Sequence, residues 1–169
     1  MAEAGLPVFI RTAAHGDIDS LRELLSQTWH DTYDGIYGHD RVRDIVARWQ
    51  SRETVVARID QTDGEFLVAD DGQRLVGMAF ASARDQGNVM MLHQLYVRPG
   101  EQGRGIGGML LDEIIESFPQ ARKVRLEVEE TNVQAIRFYV SRGFGQVGRT
   151  GDCGGQGDHL PALILERAV

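Results

Sequence analysis

Apolar positions change their spacing several times along the chain, and each change marks an element. PVFIR (7–11) reads as a short first strand. Behind Asp17, a capping residue by type, Ile18, Leu21, Leu24, Leu25 and Thr28 recur at helical spacing. WHDTYDGIYGHD (29–40) breaks that pattern with polar and glycine residues, so an aromatic connection is expected there. Val42, Ile45, Val46 and Trp49 then predict a second helix. FLVAD and QRLVGMAFAS flank Asp71-Gly72 and predict a hairpin, and NVMMLHQLYV (88–97) predicts a long fourth strand ended by Pro99. Ile106, Leu110, Leu111, Ile114, Ile115 and Phe118 share one helical face, which Pro119 stops. VRLEV (124–128) predicts a strand. The helix after it has Asn132 to cap it and Gly143 to close it. FGQVGR and LPALILER predict two last strands joined by TGDCGGQGD, a glycine-rich run expected to be mobile. The order β-α-α-β-β-β-α-β-α-β-β predicts a mixed sheet flanked by helices, of α/β or α+β class.

Composition narrows the setting. With 169 residues, 42% of them hydrophobic, one well-buried core is expected, hence a single domain over 1–169. Eighteen basic against twenty-five acidic side chains give a net charge of −7, which argues against nucleic acid as the partner. Cys153 is the only cysteine, so neither an intrachain disulfide nor a cysteine-based zinc site is expected, and no metal is assigned. The start MAEAGLPVFIRTAAH lacks a basic segment followed by a long apolar one, and no apolar run approaches ~18 residues. The expectation is a reduced, cytoplasmic protein with no membrane partner.

The stretch RPGEQGRGIGGMLLDEII (98–115) sets Gly103, Gly105, Gly107 and Gly108 against the apolar helix. Glycine is a poor helix former, so a need other than helix stability is implied. Strand, loop, glycines and helix together make an anion site: first-turn N–H groups are unpaired, the dipole adds positive charge, and glycine removes the Cβ. Arg104 can add charge and Gln102 a neutral donor. No Lys-Ser or Lys-Thr pair follows, which disfavours a nucleotide triphosphatase loop. GRGIGG does match G-x-G-x-x-G, with Glu127 at the distance of a ribose-binding carboxylate. However, five residues separate Val97 from Gly103, and too little chain follows for a dinucleotide-binding sheet. NAD(P) stays as an outside alternative.

Gln102-Gly103-Arg104-Gly105-Ile106-Gly107 resembles the Q/R-x-x-G-x-G/A pyrophosphate loop of the GCN5-related N-acetyltransferase (GNAT) superfamily. LYVRP (95–99) resembles the strand before that loop. N-x-x-A-x-x-F-Y-x-x-x-G-F, from Asn132 to Phe144, resembles the second cofactor segment. The resemblance implies a mostly antiparallel sheet whose fourth and fifth strands splay. It also implies acetyl-CoA as co-substrate, its arm paired with the backbone of Leu95, Tyr96 and Val97. Its pyrophosphate would lie on the main chain of Gln102, Gly103, Arg104, Gly105, Ile106, Gly107 and Gly108, with Asn132 near the pantetheine. By type alone Asn132 serves equally as a helix cap.

Tyr139 stands where the resemblance places a general acid for the departing thiolate, and a phenol pKa near ~10 suits that task. In an anonymous helix it would read as a core tyrosine beside Phe138. The resemblance further suggests a base on the fourth strand. Met91 holds the position of the glutamate in histone-acetylating members and cannot act, whereas His93 matches histidine-bearing arylalkylamine acetyltransferases. Glu127, Glu129 and Glu130 are reserves, and direct transfer to a neutral amine needs no base. Trp29, Tyr33 and Tyr37, with Asp31 and Asp34, are candidates for holding an ammonium, or else simply pack. The expected function is acetylation of a primary amine (a small amine, polyamine or amino-acid-like acceptor) by direct attack in a ternary complex. Alternatives are a non-catalytic acyl-CoA-binding or sensing module and a peptide N-terminal acetyltransferase. Homodimers are common in the superfamily, and the resemblance extends that expectation here.

Overall fold

A computed structural model describes residues 5–169, so the first four residues of the stretch read for a leader lie outside the described residues. Seven strands, β1 (Phe9–Thr12), β2 (Gly64–Asp70), β3 (Leu75–Arg84), β4 (Val89–Val97), β5 (Lys123–Glu129), β6 (Gly145–Thr150) and β7 (Ala162–Ala168), form a mixed, mostly antiparallel sheet, as the sequence and the resemblance predict. Their order across it is β1-β2-β3-β4-β5-β7-β6. The chain divides into two compact units. The first holds the residues up to Phe80 together with Gln94–Ser117; the second holds Ala81–His93 and Phe118–Val169.

In the first unit, β1 (Phe9–Thr12) pairs antiparallel with β2 (Gly64–Asp70). The turn into β3 (Leu75–Arg84) has Gly72 at φ 87°, and Asp71 Oδ1 accepts the N–H groups of Gln73 and Arg74. The aspartate and glycine that predicted the hairpin thus hold it, by side-chain acceptor and left-handed backbone. Leu21, Leu24 and Leu25 of α1 (Ile18–Tyr37) and Val55 of α3 (Arg52–Ile59) pack with Phe66, Val68, Met78 and Phe80. Alternation sends Gly77 to the opposite face, toward Leu110 and Ile106 of α4 (Ile106–Glu116). A Cβ on Gly77 would stand 3.0 Å from the Tyr96 carbonyl oxygen, so the bare position lets β4 (Val89–Val97) approach closely.

In the second unit, β4 pairs in parallel with β5 (Lys123–Glu129) from Val89↔Lys123 to Leu92↔Leu126. β5 keeps its antiparallel ladder with β7 (Ala162–Ala168) through Glu129, and β6 (Gly145–Thr150) closes that side. α5 (Val133–Ser141) begins at Asn132, whose side chain accepts the Ala135 N–H at 3.2 Å, and ends before Gly143 at φ 91°.

Three expectations need correction. The aromatic connection at 29–40 is helical: α1 runs twenty residues to Tyr37, and only Gly38, at φ 86°, separates it from α2 (His39–Trp49). Trp29, Tyr33 and Tyr37 recur every fourth residue, their tilted rings 4.7 and 6.0 Å apart, a helical spacing that polar neighbours conceal. Asp17 sits at the cap position without capping; its carboxylate is taken by Arg11 and the Ala14 N–H. α3 was not expected, its eight residues being too short and polar to show a period.

Candidate functional site

The junction of β4 and α4 carries the glycines. Gly103 and Gly105 have φ of 82° and 79°, and a Cβ on either would meet open space. Their glycine character thus follows from left-handed backbone, not from packing. Gly105 is the N-cap of α4 with no side-chain cap bond, and the first helical bond runs from the Met109 N–H to the Gly105 carbonyl. The N–H groups of Ile106, Gly107 and Gly108 therefore precede the helical ladder, behind an exposed segment from Gln102 to Gly105. That is the surface an anion needs. Arg104 is turned away from the role of a direct charge: it pairs with Glu101 and donates to the Leu6 carbonyl at 2.7 Å. Hydrogen bonds from Arg104 and Arg74 hold the Glu101 carboxyl below the usual carboxylate range. Gln102 Nε2 reaches back to the Val97 carbonyl at 3.4 Å.

The aromatic candidates meet this strand. Trp29 and Tyr33 are buried, and Trp29 Nε1 donates to Tyr96 Oη at 3.2 Å. Tyr37 is half-buried beneath the Arg41 guanidinium, 4.9 Å from its ring centroid. Of the acids, Asp31 is exposed, and Asp34 binds His30 Nδ1 at 2.7 Å and His39 Nδ1 at 3.2 Å. Burial acts to raise the Asp34 carboxyl, but the two imidazoles hold it below its ordinary value. His30, Asp34 and His39 are the one trio among the described residues spaced to hold a metal ion.

Sequence reasoning missed a polar cluster in the same unit. Arg58 Nη1 donates to Gln50 Oε1 at 2.9 Å and to Gln94 Oε1 at 3.3 Å, and Gln94 Nε2 donates to Gln50 Oε1 at 3.3 Å. Gln50 and Gln94 are 2% and 7% exposed. The available signal was Gln94 itself, a polar residue on the inward face of the apolar run VMMLHQLYV.

In the second unit, exposed His93 shares a 2.7 Å hydrogen bond between its Nε2 and the fully buried Ser82 Oγ. Tyr139 is 7% exposed, its ring meeting Phe138 and Phe144 edge-on at 5.2 and 5.5 Å. Asn132 caps α5, as its type predicts. The reserve acids are engaged: Glu127 accepts the Gly154 N–H at 2.7 Å, Glu129 takes Thr131, and Glu130 pairs with Arg149. The run TGDCGGQGD, expected to be mobile, is tied in place. Asp152 accepts from the Gly157 and His159 N–H groups, and the Cys153 N–H from this run donates to Leu160. Burial, with Glu127, Glu129 and Asp152 nearby, pushes the Cys153 thiol up to about 12, far from a nucleophilic thiolate. Among the described residues no helix is long and apolar enough to cross a membrane.

Residues 18–144 match the Acetyltransferase (GNAT) family. An uncharacterized N-acetyltransferase of Archaeoglobus fulgidus is 30% identical over 141 residues, covering 79% of this chain and 90% of that protein. A spermidine N(1)-acetyltransferase of Thermoplasma acidophilum is 27% identical over 146 residues, covering 82% and 89%. The crystal structure of the PaiA N-acetyltransferase from Thermoplasma acidophilum, in complex with coenzyme A, superposes with a TM-score of 0.84. It is 24% identical and covers 97% of this chain and all of that one, a likeness of fold.

Proposed function

The chain belongs to the acetyltransferase (GNAT) family, and from that premise we propose that it moves the acetyl group of acetyl-CoA to a primary amine. Attack is direct, in a ternary complex, and the whole chain serves as one catalytic domain. The observation that carries this reading is the entry to α4: two exposed left-handed glycines, no capping side chain and a row of bare N–H groups. The main chain from Gln102 to Gly108 takes the pyrophosphate, and the edge of β4 at Leu95, Tyr96 and Val97 takes the pantetheine arm, as an added strand joins a sheet. Asn132 keeps its capping bond and offers its remaining polar atoms to the arm. When bound, the co-substrate supplies an acetyl thioester.

The chain's own groups then handle two protons. A lysine-like amine, with a pKa near ~10.4, is mostly protonated at pH 7, and freeing it costs about 4–5 kcal/mol. His93, with Ser82 on its Nε2, is the group that accepts that proton, directly or through water. As the new C–N bond forms and the C–S bond breaks, the Tyr139 hydroxyl protonates the leaving sulfur, and the proton still on the acylated nitrogen passes through water to restore the phenol. The high thiol pKa of Cys153 supports direct attack over a cysteine acetyl intermediate. The test is calorimetric titration with acetyl-CoA, with NADH as control, followed by thiol release on addition of an amine panel. Acetyl-CoA binding with amine-dependent release is the expected result. Preference for NADH, or no binding of acetyl-CoA, refutes the proposal.

A further inference from the structure

Most cations of the first unit face a carboxylate; Arg58, at the last turn of α3, does not. Its hydrogen-bond partners are the amide oxygens of Gln50 and Gln94, with the Phe80 ring centroid 6.0 Å from its guanidinium carbon. Burial lowers its pKa, and among the described residues only the Tyr96 phenol acts to sustain its charge. No acceptor stands at its Nε or Nη2 among the described residues.

Gln50 adds an independent sign. Its Oε1 receives both Arg58 Nη1 and Gln94 Nε2, which fixes the orientation of the amide, since turning it would set an NH2 group against two donors. Its own Nε2 is then fully buried with no partner. A buried donor left unmet, next to a guanidinium left without counter-charge, is costly on both counts, and one anionic acceptor relieves both. The cluster shares the first unit with the strand edge proposed for the pantetheine arm: Gln94 immediately precedes Leu95 in β4, and Tyr96, on the same face as Gln94, receives Trp29.

We infer that the acceptor amine carries a carboxylate, which Arg58 and the Nε2 of Gln50 bind, so that the substrate is amino-acid-like and not a polyamine. This rests on the acetyl-transfer reading. It also opposes a wholly cationic acceptor, which would bring its charge against Arg58 with nothing to screen it.

The full chain saturated with CoA is titrated with N-acetylglycine and with N-methylacetamide, its analogue lacking the carboxylate. N-acetylglycine should bind at least about tenfold more tightly, the worth of a charge-assisted hydrogen bond to a buried partner. Arg58→Met should erase that preference. Gln50→Glu, which supplies the missing anion from within, should raise the thermal midpoint and weaken N-acetylglycine at least about tenfold. In turnover, lysine should exceed cadaverine and tyrosine exceed tyramine. Equal binding of the two probes overturns the inference. So does a preference that survives Arg58→Met. Failure to bind CoA at all refutes acetyl transfer instead, so the two failures are told apart by the first titration.

Discussion

Gly105→Asp separates the cost of a strained backbone from the cost of a repelled anion. Gly105 has φ 79° and ψ 7°, and its absent Cβ would meet nothing within 4 Å. Any L-residue there gives up about 1 kcal/mol for left-handed backbone, with Asp and Asn the most tolerant, and no clash adds to it. The folded state should therefore survive, with a small drop in urea midpoint that Gly105→Ala reproduces. Binding is another matter. A carboxylate about 5 Å from a pyrophosphate charge is repelled by about 3 kcal/mol at an effective dielectric near 20, a loss of over about 100-fold. The assay is calorimetry with acetyl-CoA, read beside urea unfolding of both variants. Gly105→Asp should lose that affinity at a stability matching Gly105→Ala. An aspartate variant that stays folded and binds acetyl-CoA within a few fold of wild type refutes the phosphate role of the loop.

Four other outcomes follow from the same physical grounds. Tyr139→Phe, whose ring still fits between Phe138 and Phe144, should lower kcat on the order of 10²-fold while leaving CoA affinity near normal; unchanged kcat removes the acid role. Asp17 has its carboxyl lowered by Arg11 and the Ala14 N–H. Its contribution is therefore present above its unfolded value of 3.8 and lost as pH falls through its lower folded value. Between pH 6 and pH 3, Asp17→Asn should lose less stability than wild type, by about 1 kcal/mol or less given the exposure of Arg11; identical acid limbs in urea melts count against the pair. Cys153 should react with an aromatic disulfide reagent at pH 8 far more slowly than in urea, and Cys153→Ser should leave turnover intact; labelling at the rate of a free thiol contradicts its raised pKa. Gly77→Ala should cost about 1–3 kcal/mol and raise KM for acetyl-CoA, because its methyl displaces the Tyr96 carbonyl; an unchanged melting midpoint refutes the close approach.

The strands were legible because their signals are local. Asp71-Gly72 holds the hairpin, and Val89–Val97 is apolar enough to mark itself. The glycines before Ile106 were equally plain, since nothing about a helix calls for them. The second half of α1 was hidden because Gly35 and three acids or histidines (His30, Asp31 and Asp34) interrupt its outer face, while the three aromatics that define the inner face are sparse. The engagement of Arg104 by Glu101 and Leu6 depends on a residue 98 positions away, and no local pattern carries it. The same holds for Arg58, Gln50 and Gln94, which come from α3, the residue after α2, and β4. A lone polar residue in an apolar strand points to a partner without naming it.

The packing of Trp29 against Trp49, with ring centroids 5.2 Å apart, has an optical consequence. These are the two tryptophans of the chain. One donates to Tyr96 on β4, and the other immediately precedes Gln50. All indole emission therefore originates beside the strand assigned to the thioester and the amide assigned to the carboxylate. The unlabelled protein is its own probe: excited at the red edge, where tyrosine does not absorb, its tryptophan emission shifts or quenches with that neighbourhood.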